Sequence, residues 1–267
     1  MATKDKIMGF QTNLCKDLKV LVTAGGNGIG RVIAESFASY GAKIHICDAD
    51  NAALADVKAS QPEWGRSHCD IAYEKQVARL FEEATTEMGG LDVLVNNAGI
   101  AGPTGAIEDI ESSKWRDTVD VNLNGQFYCT KYAMPLLKRS QNASIICISS
   151  VAGRLGYGYR TPYSATKWAI IGLVKSLAIE LGPSGIRANA LLPGIVEGPR
   201  MQKVIADRAA ALELSYQDME QDYLNKISLR RMVSAQDVAE QAIFLASPLG
   251  RNISGQAISI CGNVETL

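Results

Sequence analysis

Histidine is scarce: only His45 and His68 occur in 267 residues. Both fall in or beside strand-like runs without metal-ligand spacing. This argues against histidine catalysis and against a metal site, and none is expected. Neither sign of charge dominates, since 27 Lys and Arg stand against 28 Asp and Glu, a net of −1. A chain so balanced lacks the electrostatic footprint of a nucleic-acid or membrane-surface binder; a small-molecule ligand remains open. No run approaches the roughly 18 apolar residues of a membrane span; the longest, Ala143 to Ala152, is broken by serines. Lys4 and Lys6 are followed only by Ile7-Met8-Gly9-Phe10 before Gln11, too short for a secretory signal core. The six cysteines (15, 47, 69, 129, 147 and 261) form no C-x-x-C pair. Reduced thiols and a cytoplasmic protein are therefore expected. There is no linker, internal repeat or low-complexity tract, so residues 1–267 are read as one domain.

What is present is alternation. Apolar, β-rich runs recur at Lys19–Thr23, Lys43–Cys47, Leu91–Val95, Ser144–Ser149, Ala188–Leu192 and Ala257–Ile260, with a weaker one before Asp70. Helical periodicity fills the gaps: from Gly28, over Glu74–Met88, Trp115–Lys138 and Thr161–Leu181, and over Ala235–Ala246. Strands alternating with helices predict an α/β fold, a doubly wound parallel sheet with helices on both faces. Ligands bind such sheets at the carboxyl ends of the strands. The stretch 198–231, long, helical and charged, breaks the rhythm before the last strand and reads as a lid-like insert.

The first strand runs into Thr23-Ala24-Gly25-Gly26-Asn27-Gly28-Ile29-Gly30, which opens a helix. Glycines let backbone approach a pyrophosphate, and a helix N-terminus offers N–H groups and positive dipole; a tight turn with no ligand has the same sequence. The second strand ends at Asp48. A carboxylate there can accept from ribose hydroxyls and repel a 2′-phosphate, or it can cap the helix that continues Asp50-Asn51-Ala52.

Of nine tyrosines, only Tyr163 has a lysine four residues later, Lys167. On a helix the two share a face, and the ammonium favours the phenolate, which suits a tyrosine acid/base; a surface pair is the plain alternative. Ser150, just past the fifth strand, can hold a substrate oxygen, although serines often end strands. No Gly-x-Ser-x-Gly elbow is present, against a serine hydrolase. Asn122, a poor helix former inside a helical pattern, either holds a water near Lys167 or marks an irregularity caused by Asn124-Gly125.

Together these signals resemble the short-chain dehydrogenase/reductase family, from about Leu18 to Gly262. The resemblance rests on the Gly turn, Asp70-Ile71, Asn96-Asn97-Ala98-Gly99, Asn122, Ser150 thirteen before Tyr163, Tyr163-Ser164-Ala165-Thr166-Lys167, and Pro193-Gly194. It implies Tyr163 as general acid/base, Lys167 tuning it and binding the nicotinamide ribose, Ser150 on the substrate oxygen and Asn122 on a relay water. NAD would be held by the Gly turn (Ala24, Gly26, Asn27, Gly28, Ile29 and Gly30), by Asp48 on the adenosine ribose, and by Asp70 with Ile71 on adenine. Asn97 with Ala98 and Gly99 would take the cofactor ribose, and the backbone of Pro193, Gly194 and Ile195 the carboxamide. A homotetramer is also implied.

Two departures stand out. Ala24 replaces the family's usual Gly, acceptable at negative φ. Gly198 lies near the family's usual Thr after Pro-Gly. Two other classes compete for the function. A non-catalytic dinucleotide-binding regulator would be expected to lose Ser, Tyr or Lys. A methyltransferase gives no reason for all three. The expected chemistry is hydride transfer between NAD and a secondary alcohol or its ketone. Arg154, Tyr157 and Arg160 before Tyr163, with Arg200 in the insert, suggest a substrate bearing an acidic group. Ion pairs or subunit contacts would explain the arginines equally well, and a neutral polyol or cyclic alcohol is the other substrate class.

Overall fold

The computed structural model describes residues 13–264; the reading of the N-terminal stretch around residues 4–11 lies outside them. Among the described residues, seven strands form one parallel sheet in the order β3-β2-β1-β4-β5-β6-β7. These are β1 (Lys19–Thr23), β2 (Lys43–Asp48), β3 (Gly65–His68), β4 (Val93–Asn96), β5 (Ser144–Ile148), β6 (Arg187–Pro193) and β7 (Ala257–Ile260). The order reverses between β1 and β4, and in sheets of this kind ligands bind at that switch point, outside the carboxyl ends.

Side chains alternate across the sheet and sort into two layers. Leu21, Leu94, Ile145 and Ala188 face one side. There they meet α3 (Glu74–Met88), α5 (Gly125–Leu137) and α6 (Thr161–Leu181). Val20, Val22, Val93, Val95, Ile146 and Ile148 face the other. They meet α1 (Gly28–Ser39), α2 (Asn51–Ser60) and α9 (Ala235–Ala246). Burial on both faces explains why the strands read as continuous apolar runs. The helix ends carry their own signals: Asp50 accepts from the Ala52 amide at the start of α2, and Ser234 with Asp237 closes a capping box on α9.

Two expectations need correction. Trp115–Lys138 is not one helix. After α4 (Ser112–Val119), residues Asp120–Asn124 form a π turn before α5 begins. The second is Ala24, whose φ is +50°, in the left-handed region. An alanine there carries strain of roughly 1 kcal/mol, where the family's usual glycine would carry none.

The insert is two helices, α7 (Pro199–Ala211) and α8 (Tyr216–Asn225). They bury a small cluster of their own with Ile195, Ile205, Met219, Tyr223 and Ile227. Gly198, before α7, has φ +136°, a conformation that favours glycine. That accounts for a glycine where the family more often has threonine. No helix of the described residues is long and apolar enough to cross a membrane.

Candidate active site

The Gly turn joins β1 to α1 and is built from close approaches. The Gly25 amide donates to Cys47 O at 3.0 Å, and the Gly26 amide donates to Asp48 Oδ2 at 3.0 Å. A Cβ at Gly26 would lie 2.8 Å from that carboxylate oxygen, and one at Gly30 would overlap the Ala24 carbonyl and the Asn97 amide. Around Gly28, with φ +54°, the space is open, and Asn27 caps α1 with no side-chain bond. The first amides of α1 therefore face an open cradle, which fits a pyrophosphate. Asp48 stands at its rim, and its Oδ1 accepts the Asp50 amide at 3.0 Å. Asp50, not Asp48, caps α2, so the carboxylate of Asp48 faces the turn.

The end of β4 is tied to the same turn. Thr23 Oγ1 accepts the amides of Asn97 and Ala98, each at 3.0 Å. Asn97 Nδ2 donates to Thr23 O at 2.9 Å and to Ala24 O at 3.2 Å. Asn97 thus braces the turn through its Nδ2. Thr23, a polar residue closing an apolar strand, was the missed signal. Asp70 opens an Asx turn, accepting the Ala72 amide at 3.0 Å. Ile71 is core, packed where a Cβ on Gly125 would collide with it.

The residues expected to react lie past the ends of β4 and β5 and on the helices that follow them. Lys167, buried on α6, donates to Ile148 O at 2.9 Å and stands 5.5 Å from the centre of the Tyr163 ring. Ser149 Oγ donates to Lys167 O at 2.7 Å, anchoring the helix to β5. Ser150 Oγ accepts the Ala152 amide at 3.1 Å. With one lone pair used, its proton is available to an oxygen in the cleft. Asn122 sits in the π turn with its amide spent: Oδ1 accepts Ile100 N at 2.7 Å, and Nδ2 donates to Ile100 O at 3.0 Å and Thr166 Oγ1 at 3.1 Å. These tertiary bonds explain the break in the helix. Gly99 lies between the groups: a Cβ there would be 3.2 Å from Asn122 Oδ1 and 3.4 Å from Lys167 Nζ.

With the Gly turn and the Tyr163 region placed at the carboxyl ends of the strands, the chain can be set beside known proteins. A family model described as enoyl-(acyl carrier protein) reductase matches residues 23–263. This chain belongs to the short-chain dehydrogenase/reductase family. It is 33% identical over 251 residues to 2,5-dichloro-2,5-cyclohexadiene-1,4-diol dehydrogenase of Sphingobium indicum, covering 93% of this chain and 97% of that protein. It is 33% identical over 249 residues to the 3-oxoacyl-(acyl-carrier-protein) reductase FabG of Staphylococcus aureus, covering 91% and 96%. Among solved structures, ligand-free aldohexose dehydrogenase of Thermoplasma acidophilum superposes with a TM-score of 0.84 at 30% identity, covering 94% of both chains. NAD+-bound xylitol dehydrogenase gives 0.88 at 25% identity, covering 95% of this chain and 100% of that one. The chain is an oxidoreductase of the class acting on CH–OH groups, on a fold that binds a nicotinamide dinucleotide.

Within this short-chain dehydrogenase/reductase, the expected substrate residues separate. Arg154 is used elsewhere: it donates to Ala257 O and to Ser259 Oγ, tying its loop to β7. The side chain of Arg200 lies outside the described set. Arg160 lies 5.4 Å from the ring centres of both Tyr157 and Tyr163, and Tyr157 meets a partner that the sequence did not reveal. Its phenol hydrogen-bonds Tyr223 of the insert, and burial, with Tyr223 beside it, pushes its pKa up to about 12 against the pull of Arg160 and Arg208. Gly194 donates to Ile260 O at 2.8 Å, and Ile195 is buried with the insert, its carbonyl accepting Val233 N at 3.0 Å.

Proposed function

We propose that this protein is an NAD(H)-dependent dehydrogenase of a secondary alcohol, working reversibly on the corresponding ketone. The placement of Lys167 against the Tyr163 ring and, with Asn122, around Gly99, with Ser150 just past the end of β5, carries this reading. When bound, the nicotinamide supplies the hydride chemistry. The rest belongs to this chain's side chains. Tyr163, as phenolate, takes the hydroxyl proton in oxidation and returns it in reduction. Lys167, fixed by Ile148 O, places a buried positive charge against the Tyr163 ring and favours the phenolate. Ser150 donates to the substrate oxygen and stabilises alkoxide character. Asn122 positions the Ile100 loop and α6 around the space for a relay water, so its action is indirect.

The preference for NAD over NADP rests on Asp48. Its carboxylate, held by two backbone amides, suits ribose hydroxyls and repels a 2′-phosphate. The exposed Phe127, Trp168 and Ile179 on α5 and α6 are apolar surface that a homo-oligomer would cover. The test of the chemistry is Tyr163→Phe with a panel of secondary alcohols and NAD, followed by NADH absorbance. Turnover should fall roughly a thousandfold, while NADH affinity changes less than about threefold. Wild-type kcat in the variant would remove Tyr163 from the reaction.

A further inference from the structure

Arg160 is the charged side chain next to Tyr163 that the proton chemistry leaves unused. It is 8% exposed. Its guanidinium stands 5.4 Å from the Tyr163 ring centre and 5.4 Å from that of Tyr157. Its one side-chain hydrogen bond among the described residues runs from Nη2 to Ala101 O at 2.9 Å. Nε is buried with no acceptor. No Asp or Glu among the described residues pairs with it.

A guanidinium stays charged at every working pH. Burying it without a counter-ion is costly, and two aromatic faces offset only part of that cost. Its Nε–H is buried without an acceptor, on a side chain that stands against the ring assigned to the proton. The missing partner is an anion. Cofactor phosphates do not supply it, since their cradle is at the start of α1, across β4. The wall provided by the insert is also cationic: Arg208 Nη1 donates to Tyr223 Oη at 3.2 Å, and Tyr223 bonds Tyr157. Arg154 differs in the respect that matters, because backbone and hydroxyl oxygens of β7 already take its donors.

We propose that Arg160 receives a carboxylate carried by the substrate, which makes the natural substrate class a small hydroxy acid or its oxo acid. This inference rests on the reading of Tyr163 as the acid/base and narrows what that residue acts upon. Paired N–H bonds orient a planar carboxylate and thereby fix which carbonyl reaches Tyr163. Neutral alcohols lack this hold.

The test uses the full chain loaded with NADH, and a panel of oxo acids of about four to six carbons with the ketone one or two carbons from the carboxylate, each beside its methyl ester. Binding is read by calorimetry and reduction by NADH absorbance, for wild type, Arg160→Gln, Arg160→Lys and Tyr163→Phe. Glutamine keeps a donor for Ala101 O and removes the charge; lysine keeps the charge and loses the fork. At least one acid should bind wild type more tightly than its ester. Arg160→Gln should weaken that acid about 30-fold, through KM and Kd, and shift its ester less than about threefold. Arg160→Lys should fall between. If no acid outbinds its ester, or Arg160→Gln weakens acid and ester alike, the proposal is overturned. Tyr163→Phe separates the two readings. It should leave acid binding intact and remove reduction; retained reduction would sink the acid/base role while the Arg160 binding difference still stood.

Discussion

The Gly turn and the Tyr163 site sit on neighbouring strand ends and are built from opposite materials. At the turn, the working groups are backbone amides, and side chains are kept out: Gly26 and Gly30 have no room for a Cβ. At the Tyr163 site the working groups are side chains, and backbone carbonyls hold them still, as Ile148 O holds Lys167 and Ile100 holds Asn122. The first region should fail when an atom is added and the second when one is removed. A third kind of element, Asp48, belongs to the first region but acts through its charge.

Gly30→Ala is the harshest test of that contrast. Its methyl would overlap the Ala24 carbonyl and the Asn97 amide that brace β4. The expected loss is about 1–3 kcal/mol of stability with NADH affinity collapsing, read by thermal unfolding and fluorescence titration. Normal NADH affinity in a folded Gly30→Ala protein would mean the brace has slack. Next comes Asp48→Ala, with a narrowing of the NAD-over-NADP ratio of kcat/KM by at least about tenfold, or ~1.4 kcal/mol. An unchanged ratio would move cofactor choice elsewhere.

A smaller effect concerns His45, on the same strand as Asp48. It is buried, with Nδ1 3.0 Å from Glu87 Oε2 and Nε2 2.9 Å from Ser67 Oγ. Burial lowers its pKa below the ordinary 6.5, against the pull of Glu87 and Glu83 and with a push from Arg66. Because the folded pKa is depressed, the unfolded chain binds the proton first as pH falls. The contribution is whole above pH 6.5 and is lost progressively below it. Melting curves from about pH 7.5 to about pH 5.5 should show a shallower decline in His45→Gln than in wild type; parallel slopes would remove His45 as a source. The gentlest change is Ala24→Gly. Relief of the left-handed alanine, less the entropy of a new glycine, should raise stability on the order of 0.5 kcal/mol, a Tm gain of about 1–2 °C. A drop in Tm would mean that the alanine methyl makes contacts worth more than its strain.

The strands were legible because both faces of the sheet are covered, which leaves continuous apolar runs such as Lys19–Thr23 with sharp ends. The pairing of Tyr163 with Lys167 was legible from helical spacing, and the place of Asp48 beside the Gly turn from its distance in the chain; their roles came only with the family resemblance. What could not be read depends on contacts between distant segments. Asn122 breaks its helix because Ile100 and Thr166 bond its amide. Arg154 and Arg160, six residues apart, look alike in the chain; only the fold sends one to β7 and leaves the other beside Tyr163. The sign of φ at Ala24 has no signature at all, since alanine itself argues for the opposite sign.

The tie between Asn97 and Thr23 spans 74 residues of chain, and it has a kinetic consequence. Sequence-distant contacts form slowly, because the entropy of closing the intervening loop must be overcome before they contribute. Two helix-and-strand units separate β1 from β4 in the chain, so their docking closes a long loop. The phosphate cradle therefore matures late, although its glycines are synthesised early. A dinucleotide meeting this chain as it leaves the ribosome has nothing to hold until β4 arrives. From that moment, binding stabilises the finished sheet by mass action. Occupancy by the dinucleotide thus reports that the centre of the molecule has closed.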